Sequence, residues 1–203
     1  MKVFTYFPTN LWSVDCTLDN DNLLHKIEEF VSKTESENGI KTSNEGGYQG
    51  HEFKDQEFYD EVAKFVPVLN ENDFQSFKIY SWVNVNKKGN SNRRHSHFTS
   101  DTLISGVYYV KVPKDSGRIR FYDPRGELIH KALDWRYYNG YEYHYIEPKE
   151  GQMIFFPCWL EHDVEPNKTD DERISIAFNV RINSLQGKSA GPSLLFNGKY
   201  LLS

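Results

Sequence analysis

The sequence predicts a mainly β fold, a sandwich or barrel with helices packed on its outside. Three observations predict it. Aromatic residues make up 15% of the chain, with 14 Phe and 13 Tyr, and such side chains favour pleated, half-buried surfaces. From Phe74 onward, short runs of alternating or mainly apolar residues are separated by turn residues. Before that point apolar residues recur instead at helical spacing. The 203 residues fit a single domain over 1–203. Its first part, 1–73, reads as mostly helical and 74–203 as the β-barrel core. No boundary is placed between them, because the helices need a sheet to bury their apolar faces.

The elements follow in chain order. Leu23, Leu24, Ile27, Phe30 and Val31 fall on one helical face between Asn22 and about Glu37, with Asp19, Asn20 and Asp21 available as caps. Thr42 to Gly50 reads as a loop from its turn residues. Phe53, Phe58, Val62, Phe65 and Val66 suggest a second helix over His51 to Leu69, fraying near Pro67. Strands are expected at Phe77–Val85, Ile104–Val112, Arg118–Tyr122, Tyr141–Ile146, Gln152–Phe156 and Arg173–Arg181. Asn197-Gly198, flanked by apolar residues, is a strong hairpin signal near the end of the chain. Strands of this length and spacing build a sandwich or barrel. No period of 20 to 50 residues repeats, which argues against a solenoid or propeller.

Composition excludes several classes. Hydrophobic residues are 38% and charged residues 26%, the balance of a folded, non-membrane chain. The longest apolar stretch, Met153 to Leu160, is too short to span a bilayer. A net charge of -5 argues against a nucleic-acid partner. The N-terminus shows no secretory signal pattern. Two cysteines, Cys16 and Cys158, make no disulfide framework and fit a reducing cytoplasm. Cys158, in an apolar context, reads as a structural thiol rather than a nucleophile. The sequence leaves oligomeric state open, a homodimer included.

Chemistry concentrates in three of the seven histidines. His95 and His97 are separated by one residue, and on a strand such a pair shares a face. His162 lies far along the chain, just after the apolar run Met153 to Phe156. A close pair plus one distant histidine on a neighbouring strand makes a facial metal site, and imidazole suits Fe, Zn, Cu and Ni. Three protein ligands leave positions open for substrate and oxygen. Taken alone, His-x-His is a weak signal, since strand histidines are often plain surface residues. Beyond His162, Arg173 and Ser175 again share one face of a strand. A guanidinium fork with a neighbouring hydroxyl can clamp a carboxylate. The plainer reading of Arg173 is a surface ion pair with Asp170, Asp171 or Glu172.

The order His-x-His, a distant His, then Arg-x-Ser resembles the 2-oxoglutarate/Fe(II)-dependent oxygenases, and more narrowly the small members of that superfamily found in bacteria and phages. The resemblance extends over most of the chain. It includes Thr42–Gln49, Trp82-Val-Asn84, Ser105–Tyr109, Phe121–Arg125, Gly151–Pro157, Trp159–His162 and Arg173–Asn179. It implies a double-stranded β-helix, or jelly roll, with helices outside the larger sheet. It implies that His95, His97 and His162 hold Fe(II), that Arg173 takes the distal carboxylate of 2-oxoglutarate, and that Ser175 assists. A phenol from Tyr108 or Tyr109 would add a donor, only one of the two pointing inward; Tyr108 is taken as the cofactor-binding one. Asn84 would sit near the bound acid. The implied reaction consumes O2 and 2-oxoglutarate, forms succinate and CO2, and hydroxylates a C–H bond of a peptide, protein residue or small metabolite.

One departure stands out. The wider superfamily has a carboxylate at the second ligand position, where this chain has His97. The neutral ring leaves a bound Fe(II) site one unit more positive. Asp101 could ligate instead if the chain turned, whereas Asp163 would point away from His162 on an extended strand. A three-His cupin-like dioxygenase without an oxoacid and a non-catalytic jelly-roll binding module are the competing readings. Arg93, Arg94, Arg118, Arg120 and Arg125 form a locally basic stretch that either meets an anionic substrate or is ordinary surface charge.

Overall fold

A computed structural model describes residues 2, 8–34, 43–66, 77–99, 101–126 and 142–182. Eleven strands and two helices are placed among them: β1 Trp12–Asp15, α1 Asn20–Thr34, β2 Asn44–Glu45, β3 Tyr48–His51, α2 Gln56–Phe65, β4 Phe77–Asn86, β5 Ser91–His95, β6 Thr102–Lys111, β7 Ile119–Tyr122, β8 Tyr143–Ile146, β9 Gln152–Pro157, β10 His162–Val164 and β11 Arg173–Ile182. They form two antiparallel sheets. The larger has the order β1-β9-β6-β11-β4-β3 and the smaller β2-β5-β10-β7-β8. Neighbours in space are mostly distant in sequence, which is the winding of a jelly roll.

Alternation along β11 explains the layers. Ile174, Ile176, Phe178 and Val180 lie on the helix side, packed with Leu23 and Ile27 of α1 and Phe58 and Val62 of α2. Arg173, Ser175 and Asn179 take the opposite parity and face the smaller sheet. There a second cluster holds Val107, Tyr109, Ile119, Phe121, Ile154, Phe156 and Leu160. The larger sheet is therefore covered on both faces, and its inner face carries the polar residues.

The second helix starts later than the periodicity suggests, whereas the first begins two residues earlier and its expected end near Glu37 lies outside the described residues. Asp19 caps the first, its carboxylate accepting from Asn22 N at 3.0 Å. Asp55 caps the second, accepting from Phe58 N at 2.8 Å. The expected helix over 51–69 loses its first turn because His51 is recruited to β3, opposite Trp82. Asp55→Ala should cost about 1 kcal/mol of stability by the usual N-cap loss. The cost should be larger than the cap alone gives, because Lys26 also donates to Asp55 at 2.7 Å. A urea midpoint unchanged from the parent would contradict this.

The expected loop at Thr42–Gly50 contains two short strands in different sheets, joined at Gly46 and Gly47. Gly46 has φ +82, and a Cβ on Gly47 would lie 2.8 Å from Val85 O. The close approach demands glycine there. Strands β1, β5 and β10 were not signalled by sequence pattern. The Asn197-Gly198 hairpin, His130 and the aromatic residues Trp135, Tyr137, Tyr138 and Tyr141 lie outside the described residues. Among the described residues no helix is long and apolar enough to cross a membrane.

Candidate metal and oxoacid site

Two strands of the smaller sheet bring the histidines together. His162 of β10 is the register partner of His95 on β5 and of Phe121 on β7. β5 ends at His95, so His97 lies beyond the strand rather than on it. It is tied back instead, its N–H donating to Cys158 O at 2.9 Å. The three rings offer ligand atoms that all lie within 4.8 Å of one another. Their centroids are 4.9 Å (His95–His97), 4.4 Å (His95–His162) and 5.1 Å (His97–His162) apart.

The tautomers follow from the neighbours. His95 Nδ1 lies 2.6 Å from Arg93 O and His162 Nδ1 lies 3.0 Å from Leu160 O. A carbonyl can only accept, so both Nδ1 atoms carry hydrogen and Nε2 keeps a free lone pair. Such a backbone contact is the usual outer support of a metal-bound imidazole. Phe156 at 4.7 Å and Phe121 at 6.1 Å pack on the His162 ring, and Trp82 lies 5.4 Å from His97.

Burial keeps the rings neutral. It holds His95 and His162 below the ordinary imidazole range and pushes His97 down to about 3, with neighbouring histidines adding to the effect on His97 and His162. The unfolded chain protonates these residues below about pH 6.5. The folded, metal-free chain then binds fewer protons, so its stability is present above that pH and falls as the solution is acidified towards pH 3. Each fully titrating ring contributes a slope of about 1.4 kcal/mol per pH unit. Urea midpoints of metal-stripped protein should therefore drop steadily between pH 6.5 and 4. A flat profile would refute it.

Arg173 lies deeper on the inner face of the larger sheet. It is 1% exposed. Nη1 donates to Ser116 O, and also to Gly117 O at 3.3 Å and Glu165 O at 3.4 Å. Nη2 is buried with no partner, and among the described residues no carboxylate pairs with it. Two of the three nearby acids pair elsewhere: Lys88 takes Asp170 and Lys87 takes Glu172. Ser175 pairs in register with Asn84 on one side and Tyr109 on the other, and Asn84 Oδ1 is also buried without a partner. A buried cation lacking a counter-ion is costly, and Asn84, on the strand paired with Arg173's own, carries another unpartnered buried polar atom.

Tyr108 requires a correction. Its side chain points to the helical layer, where its hydroxyl bonds Asn20 and its ring packs 6.1 Å from Phe58. Tyr109, one residue on, takes the inward parity. Its phenol is fully buried and feels the Arg173 charge, while burial drives its pKa up and keeps it a donor. Both residues of β6 are buried, so burial alone could not tell them apart.

Asp101 is not drawn into the histidine group. Its carboxylate accepts from Thr99 Oγ1 at 2.9 Å and lies 3.9 Å from Arg181. Asp163 points away from His162, as alternation requires, and is held by Arg120. The basic stretch is neutralised rather than offered to an anion: Arg93 meets Glu45, Arg94 Glu161, Arg118 Glu165, Arg120 Asp163 and Arg125 Asp123. His25 is exposed on α1 beside Glu29. His144 is the register partner of Phe121, and His51 stacks on Trp82 at 6.1 Å; neither position was evident from its surroundings in sequence. Cys158 is buried and donates to Thr102 O, a structural thiol.

The donor set fits a cation of the first transition row, and an unpaired guanidinium fits the carboxylate of an organic acid. Comparison with known proteins agrees. Residues 80–179 match the family described as "Putative 2OG-Fe(II) oxygenase". No curated protein matches the chain. A Pseudomonas putida prolyl-4-hydroxylase is similar in structure at 18% identity and TM-score 0.61, over 87% of this chain and 94% of that one. A viral collagen prolyl hydroxylase from Paramecium bursaria Chlorella virus-1, solved with 2-oxoglutarate, is 18% identical with TM-score 0.56, over 85% and 96%. HygX from Streptomyces hygroscopicus, solved with nickel and 2-oxoglutarate, is 11% identical with TM-score 0.55, over 86% and 84%. At these identities the structural likeness speaks for the jelly-roll fold, while the family match spans His95, His97, His162 and Arg173. Through residues 80–179 this chain belongs to the 2OG-Fe(II) oxygenases, enzymes that use iron and 2-oxoglutarate.

Proposed function

We propose that this protein hydroxylates a C–H bond of a peptide, protein residue or small metabolite, with His95, His97 and His162 holding Fe(II) through Nε2. Arg173, assisted by Ser175 and Tyr109, binds the distal carboxylate of 2-oxoglutarate, and Asn84 lies beside the bound acid. The observation that carries this reading is Arg173, buried without a carboxylate partner. A three-His dioxygenase acting without an oxoacid has no use for such a group. Bound Fe(II) would supply the redox chemistry by which O2 oxidises 2-oxoglutarate to succinate and CO2 and the substrate C–H bond to an alcohol.

The chain's own residues bind, orient and exclude water. The guanidinium fork fixes one end of the oxoacid. Val107, Ile119, Ile154 and Leu160 wall the barrel interior, and in that low-dielectric setting the charge pairing is stronger than in water. Three neutral imidazoles leave the metal's full double charge to attract a dianionic co-substrate. The reading takes 1–203 as one domain. Its support is that Leu23, Ile27, Phe58 and Val62 of the helices share a core with Val83, Ile176 and Phe178 of the sheet. A cytoplasmic setting, in the host if the protein is phage-encoded, is supported by two free thiols, Cys16 and Cys158.

The test is formation of succinate from 2-oxoglutarate, dependent on Fe(II) and O2. Failure of the metal-loaded protein to bind the oxoacid would overturn the reading. The tyrosine assignment has its own check. Tyr109→Phe should raise the KM for 2-oxoglutarate by roughly tenfold, the ~1.5 kcal/mol of a hydrogen bond to a charged group. Tyr108→Phe should leave that KM unchanged and lower stability by about 1 kcal/mol. The reverse pattern would restore Tyr108 to the pocket.

A further inference from the structure

The outer face of the smaller sheet carries a ladder of ion pairs directly behind the histidines. Asp163 follows His162 and accepts two bonds from Arg120, at 2.7 Å and 2.6 Å. Tyr122 O–H donates to the same carboxylate at 2.6 Å. Arg94 precedes His95, and its Nε donates to Glu161, the residue before His162, at 2.9 Å. The Arg94 guanidinium lies 4.0 Å over the Tyr122 ring, closing the circuit. Residues 94, 161, 163, 120 and 122 thus flank His95, His162 and Phe121 on the face opposite the rings.

The backbone ladder here is regular on the β7 side but irregular on the β5 side, which carries His95. β10 has three residues, and its register with β5 shifts between His162 and Val164. A bulge beside His162 bends the strand and re-aims its side chains, so their direction needs a further support. Bidentate Arg–carboxylate pairs restrict both separation and rotation, and the Asp163 side chain, 10% exposed, is little screened. We propose that the Arg120–Asp163–Tyr122 clamp, joined to Arg94–Glu161, is a positioning device that sets the separation and tilt of His95 and His162 for metal binding. This rests on the three-His metal reading.

One further pair on the same face supplies a control. Arg118 and Glu165 form an equally close bidentate pair, at 2.7 Å and 2.8 Å, but they flank Ile119 and Val164 rather than a histidine. Co(II) serves as the probe, read by its visible ligand-field absorption and by its Kd in folded protein. Asp163→Asn should weaken Co(II) binding by about tenfold, the scale of lost outer support at metal sites, and alter the absorption bands. Arg118→Gln should lower the melting temperature yet leave the Co(II) Kd and spectrum unchanged. Tyr122→Phe, a milder change, should shift both readouts in the same direction as Asp163→Asn, and it decides the matter if Asp163→Asn does not fold. Unchanged Co(II) binding in these clamp variants, or an equal loss in Arg118→Gln, overturns the clamp. Absence of Co(II) binding in the parent protein overturns the metal reading instead.

Discussion

Arg173→Met is expected to weaken 2-oxoglutarate binding to the metal-loaded protein by at least about 30-fold, since truncating one partner of a buried charge pair costs roughly 2–5 kcal/mol. The physical basis is the environment of the guanidinium. Nη1 is held by the carbonyls of Ser116, Gly117 and Glu165, while Nη2 is buried and unpartnered. The fork is oriented before any ligand arrives, so little ordering cost falls on binding. Arg173→Lys keeps a charge but loses the fork and should recover only part of the affinity. Thermal denaturation provides a second readout. At 100-fold excess over Kd the oxoacid should stabilise the parent by about 2.7 kcal/mol, and the same concentration should stabilise Arg173→Met by no more than about 0.9 kcal/mol. Parental affinity in Arg173→Met would show that Arg173 is not the partner of the oxoacid carboxylate.

His162→Ala should reduce succinate formation by at least about 1000-fold, or ~4 kcal/mol of barrier, and abolish the stabilisation conferred by Fe(II). This ring is the most buried of the three and contacts both other histidines, Phe121 and Phe156. Its loss removes a ligand and opens a void beside the remaining two. His162→Gln, closer in volume, separates the effects: it should fold nearly as well as the parent but bind Fe(II) no better than His162→Ala. Metal affinity retained in both variants would show that the histidines meet for packing alone.

Legibility in the sequence followed strand length and burial. β4, β6, β9 and β11 are long or strongly apolar, and their runs stand out within a residue or two of the observed bounds. β5, Ser91-Asn-Arg-Arg-His95, contains no aliphatic or aromatic carbocyclic side chain, and β10 has three residues. Both are strands because neighbours hydrogen-bond to them, which no local pattern records. The same limit decided Tyr108 against Tyr109. Alternation sends adjacent residues to opposite faces, but nearly all of β6 is buried, so its pattern gives no sign to the alternation. The Ser175–Tyr109 register supplies that sign.

The sequence by itself determined the candidate residues and their chemistry: three imidazoles, one guanidinium with a hydroxyl on the same strand face, and a β-rich chain with two helical periodicities in its first third. Side-chain type and parity along a strand are local properties, and they survive without a structure. Tertiary structure decided the rest. It brought His162 opposite His95, stripped Arg173 of acidic partners, paired the other arginines with acids, and turned Tyr109 inward. Each of these depends on which strands lie side by side and in what register, a choice made by the packing of the whole core.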